Sequence, residues 1–70
     1  MSFKQLLEKK INALARAGAK VFREFLKEDV DDEEKMILRK VYDGLITLHD
    51  FYLEIYLKYI ELEEDKTNKE

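Results

Sequence analysis

Between Leu38 and Leu62 the chain keeps an apolar residue in step with every turn of a helix, and only Glu54 and Lys58 carry charge from Phe51 to Ile60. Leu38, Val41, Leu45, Leu48, Tyr52, Ile55, Tyr59 and Leu62 follow one another at alternating spacings of three and four. This is the a/d pattern by which one helix packs on another. A second series, Tyr42, Ile46, His49, Leu53, Tyr56 and Ile60, lies directly beside the first on the helical wheel. The apolar arc is therefore about twice as wide as one helix contact needs. The first series, as far as Tyr59, is expected to form a hairpin core, and the second an oligomer interface. Leaving Ile46, Leu53 and Ile60 in water would forgo roughly 5–9 kcal/mol, at about 1.5–3 kcal/mol per side chain. That is comparable with the whole stability of a small domain, about 5–15 kcal/mol.

The first half of the chain supplies the partner helix. Ser2-Phe3-Lys4-Gln5 fits a capping box, with Met1 and Leu6 placed as a hydrophobic staple, so a helix is expected from Ser2 to about Glu28. Leu7, Ile11, Leu14, Gly18, Val21 and Phe25 again alternate four and three, with Phe3, Ala15 and Phe22 widening the stripe. Its middle, Ala13 to Ala19, is rich in small residues, which let a neighbouring helix come close or accept a bulky side chain from it. A turn at Asp29–Asp32 pairs positions whose numbers sum to about 60, which sets Gly18 opposite Tyr42 and Ile11 opposite His49. Small then meets large, as a packed interface requires.

Asp31 is the expected N-cap of the second helix, with Glu34 at the third position and a cluster of carboxylates against the positive end of the helix dipole. Asp43-Gly44 is a strong turn dipeptide and the one place for a break, but the series through Val41, Leu45 and Leu48 keeps its phase across it. The pattern predicts one all-α unit over residues 1–64: an antiparallel two-helix hairpin, with helices over about 2–28 and 32–64, dimerising into a four-helix bundle. A three-helix bundle broken at Asp43-Gly44 is the alternative. Residues 65–70, polar throughout, are expected to form a disordered tail. In outline and length the dimer resembles the small plasmid RNA-binding hairpin dimers of the Rop type. The resemblance is architectural, without a shared motif, and assigns no role to any residue.

Size sharpens the need for a partner. Seventy residues with no cysteine give a core near the lower limit for a stable domain, and no disulfide or thiolate metal site can reinforce it. Association is the remaining means. The longest stretch without a charged residue is Gly44 to His49, far short of a bilayer span. With no secretory signal legible in the sequence, the cytoplasm is the expected compartment and no membrane partner is expected. Charged residues make up 41% of the chain, and uncharged polar side chains are few, a balance that resembles hyperthermophile proteins.

Catalytic chemistry has little to work with. His49 is the single histidine, and the hydroxyls of Ser2, Thr47 and Thr67 are scattered, so no nucleophile, base and orienting group fall together. A di-iron bundle needs inward Glu-x-x-His pairs, whereas Ile46 precedes His49 by three. Asp29, Asp31 and Glu33 imitate the opening of a calcium loop, but Glu34 and Lys40 stand where its glycine and closing glutamate belong. Gly18 and Gly44 are the only glycines, so there is no phosphate loop. No enzyme activity, cofactor, metal or small-molecule substrate is expected.

Charge is distributed unevenly. Lys4, Lys9, Lys10, Arg16, Lys20, Arg23 and Lys27 face only Glu8, Glu24 and Glu28 in the first 28 residues, while the chain as a whole carries a net −3. Arg16, Lys20, Arg23 and Lys27 share the face away from the core and would suit contact with phosphates. Phe51 and Leu57 fall outside both series and suggest a docking patch for a second protein. The expected function is a non-enzymatic protein-protein interaction module, a homodimeric adaptor or accessory subunit. A nucleic-acid-binding or regulatory dimer is the alternative.

Overall fold

The computed structural model describes residues 2–68. They form two helices, α1 (Phe3–Phe25) and α2 (Asp32–Asn68), packed as an antiparallel hairpin 59 Å long and 18 by 14 Å across. The α1 start follows from its side chains. Ser2 Oγ accepts from Gln5 N, and Gln5 Oε1 accepts from Ser2 N, both at 3.1 Å. Met1, the other half of the expected staple, lies outside the described residues.

Helix α1 closes at Phe25, three residues earlier than its pattern suggests. The amide of Leu26 still reaches Phe22 O at 3.2 Å, but that of Lys27 turns to Glu24 O, also 3.2 Å. Continuing would place Glu28 and Asp29 on the negative end of the helix dipole, where carboxylates are unfavourable. Asp31 then opens α2: its Oδ1 accepts from Glu34 N at 2.8 Å, and Asp32, Glu33 and Glu34 fill the first turn. Asp31→Ala is expected to cost about 1 kcal/mol, read as a lower urea midpoint at unchanged slope.

No break occurs at Asp43-Gly44. The helix runs through both residues, and the Thr47 hydroxyl donates to Asp43 O at 2.8 Å. The three-helix alternative is thereby excluded. At its other end α2 continues past residue 64 to Asn68, so the expected tail is helical over 65–68, while residues 69 and 70 lie outside the described residues. Asp65, Lys66, Thr67 and Asn68 bring no apolar residue to the helix, and Lys66 complements the dipole at its C-terminal end.

The register matches the expected pairing. A Cβ placed on Gly18 would meet Tyr42 Cε2 at 3.9 Å and Ile46 Cδ1 at 4.0 Å, so the small residue of α1 is where the large ones of α2 come close. Phe22 and Tyr42 rings lie 5.8 Å apart, and Phe3 meets Tyr59 edge-on at 5.4 Å. Lys35 reaches over the Phe25 ring at 5.9 Å and closes the turn end.

Candidate interaction surface

Two helices cover very little. Leu7, 4% exposed, is the one buried apolar side chain among the described residues, and Gly18, about three turns further along α1, is also buried. Ile11, Leu14, Val21 and Phe25 are half-buried, as α1's stripe requires.

On α2 the line of contact runs between the two series read from the sequence. Leu38, Tyr42, Leu45, His49, Tyr52, Tyr56 and Tyr59 are all half-buried, and they too alternate four and three. This middle line draws Tyr42, His49 and Tyr56, expected at an oligomer interface, into the hairpin. Tyr56 donates its hydroxyl to Glu8 Oε2 on α1 at 2.9 Å. Conversely Val41 and Leu48, expected in the hairpin core, are 46% and 48% exposed. The physical reason lies in α1: its narrow waist at Gly18 admits the Tyr42 ring, and this rotates α2 so that Val41 and Leu48 turn away.

The two flanks of α2 are consequently unequal. One carries Ile46, 37% exposed, with Leu53 and Ile60 half-buried; a shallow groove there is lined by Ala15, Gly18, Ala19, Phe22, Ile46 and His49, among others. The other carries Val41, Leu48 and Leu62, all exposed, with Ile55 half-buried. Ile37, one turn before Val41, belongs to this flank and is 63% exposed. The sequence reading left Ile37 unassigned, although its spacing of four from Val41 was the available signal. Phe51 and Leu57 are exposed. Arg16, Lys20, Arg23 and Lys27 are exposed along α1, with Lys27 paired to Glu24 at 2.9 Å.

Titratable groups are few in their effects. Glu8 holds the Tyr56 phenol above the ordinary tyrosine range, chiefly by accepting its hydrogen bond. The folded state favours the neutral phenol. The bond's contribution is thus fully present below the unfolded tyrosine pKa of about 10 and lost as pH rises through the folded value. Glu8→Ala is expected to bring Tyr56 ionisation down toward that value in an ultraviolet titration of tyrosinate. Glu24 likewise raises Lys27 by hydrogen bond and charge. His49 Nδ1 lies 3.3 Å from Asp50 Oδ1, a contact between consecutive residues of α2.

Among the described residues no cluster of three or more His, Cys, Asp or Glu side chains could hold a metal ion. No helix of the described residues is long and apolar enough to cross a membrane. Comparison with protein-family models, curated proteins and solved structures finds no match.

Proposed function

We propose that this chain is a non-enzymatic interaction module of the cytoplasm, a small dimeric adaptor or accessory subunit that pairs with its own copy and lends helix surface to a larger complex. What supports this reading is a hairpin in which Leu7 is the one buried apolar side chain among the described residues, while large apolar residues such as Ile37, Val41, Leu48 and Leu62 stand exposed along its longer helix. Exposed apolar surface of that continuity marks association. Light scattering of the purified chain is expected to give twice the 8.4 kDa chain mass. A compact, ordered monomer at high concentration would overturn the reading. For the adaptor role, Leu57→Asp is expected to lose a protein that the wild-type chain retains from its host, with the dimer intact.

The exposed cations of α1 favour a second reading, nucleic-acid contact through Arg16, Lys20, Arg23 and Lys27. Binding to mixed-sequence DNA or RNA would then weaken steeply with salt and on charge reversal at Arg16 and Arg23. Absence of binding at low salt removes it.

A further inference from the structure

We propose that a second copy of this chain docks on the flank of α2 carrying Ile37, Val41, Leu48 and Leu62, about a two-fold axis at Leu48 that seats Phe51 of each copy over the partner's Gly44. This rests on the dimeric reading above and adds to it the face, the direction and the register.

The amount of uncovered surface sets the size of the partner. The chain exposes 6012 Å², whereas a compact protein of its mass exposes roughly 4,600 Å². Its radius of gyration is 16.8 Å, against about 11 Å for a compact chain of this length. The excess, roughly 1,400 Å², is more than the about 800 Å² that one partner contributes to a standard interface and falls in the range of obligate dimers. A second hairpin laid along the first would supply that cover and bring the assembly to four helices.

The choice of flank follows from exposure. Ile37, Val41, Leu48, Ile55 and Leu62 recur at spacings of four, seven, seven and seven, and no charged residue interrupts them on the wheel. Charge borders both flanks, Lys40 and Lys58 beside this stripe and Arg39 and Asp50 beside Ile46, but Leu53 and Ile60 are already half-buried whereas Ile37, Val41, Leu48 and Leu62 are exposed.

Register comes from two features that the single hairpin leaves without a purpose. Glycine weakens a helix interior relative to alanine, yet a Cβ on Gly44 would meet nothing within 4 Å, so nothing inside the chain requires glycine there. Phe51 is exposed, but its ring packs edge-on against Tyr52 at 5.8 Å, which holds it beside this flank rather than among Asp50, Glu54 and Lys58. The middle of the stripe is symmetric about Leu48, with Val41 seven residues before it and Ile55 seven after. An antiparallel pairing centred on Leu48 therefore sets Val41 against the partner's Ile55; Phe51 falls level with the partner's Leu45, which faces α1, so the residue it meets on this flank is the adjoining one, the partner's Gly44. Large meets small, and the missing Cβ admits a ring between helices about 8–10 Å apart. A slip of one heptad in either direction would set Phe51 against the partner's Ile37 or the partner's Phe51, both bulky.

The chain has no cysteine, so single introduced thiols report the geometry directly. On oxidation, Leu48→Cys is expected to give a covalent dimer and Ile46→Cys none. Gly44→Leu, which raises helix propensity and should leave far-ultraviolet helicity intact, is expected to weaken dimerisation at least tenfold in analytical ultracentrifugation, with Phe51→Ala in the same chain restoring part of the loss. A dimer by light scattering that links through Ile46→Cys and not Leu48→Cys would overturn the face while leaving the dimeric reading standing. Unchanged or tighter association of Gly44→Leu would overturn the register. A monomer at every concentration would overturn both readings.

Discussion

Leu7→Ala is expected to lower stability by about 2–5 kcal/mol, against the roughly 4–10 kcal/mol available to a chain of this length. The effect should be large because burial is so sparse. Leu7 is the one apolar side chain among the described residues that is shielded almost completely, at 4% exposure. It sits one residue before Glu8, whose carboxylate takes the Tyr56 hydroxyl, so the methyl groups removed come from the point where the two helices are tied most directly. Truncation leaves a void that neighbours spread along a thin hairpin cannot close by collapsing from several sides. Urea unfolding followed by far-ultraviolet circular dichroism, at one protein concentration, would measure it. The comparison is Met36→Ala, at an exposed site of α2, where a change within about 0.5 kcal/mol is expected. Equal losses at both positions would show that Leu7 is not the anchor described.

The second large effect is expected at Gly18, and its sign depends on the size of the replacement. Alanine adds a Cβ at ordinary contact distance from Tyr42 and Ile46, 3.9 and 4.0 Å, and removes the helix penalty of glycine, so Gly18→Ala should stabilise by about 0.5–1 kcal/mol. Leucine carries three more carbons toward the same two side chains. Gly18→Leu should therefore destabilise by about 1–3 kcal/mol, through overpacking. The same unfolding measurement reads both. A neutral leucine would mean that the helices are not held at close approach there.

How these elements were legible beforehand differs from one to the next. The start of α1 was written in Ser2 and Gln5, and that of α2 in Asp31, because a cap is a local contract between a side chain and an amide three residues away. The continuity of α2 through Gly44 followed from the unbroken phase of Val41, Leu45 and Leu48. The line of contact was not readable in the same way. Leu38 through Tyr59 supports three parallel lines with the same alternation of three and four, and each is apolar enough to serve. Only the partner decides among them, through the depth of α1 at Gly18 and the width of the Tyr42 ring. That decision moved Tyr42, His49 and Tyr56 into the hairpin and left Val41 and Leu48 outside. The C-terminal residues were misjudged for another reason: a polar stretch lacks a packing face but can still be helical, as residues 65–68 are.

Helix α2 also outruns its companion. Phe3, the first residue of α1, meets Tyr59, so the turns from Glu61 to Asn68 extend where α1 has ended. Backbone hydrogen bonds without a neighbouring element to shield them open at low free energy. The amides of those turns should exchange with deuterium ahead of those near Leu45, and trypsin should cut after Lys66 while the paired part of the rod stays intact, leaving a trimmed species that still holds its helical signal.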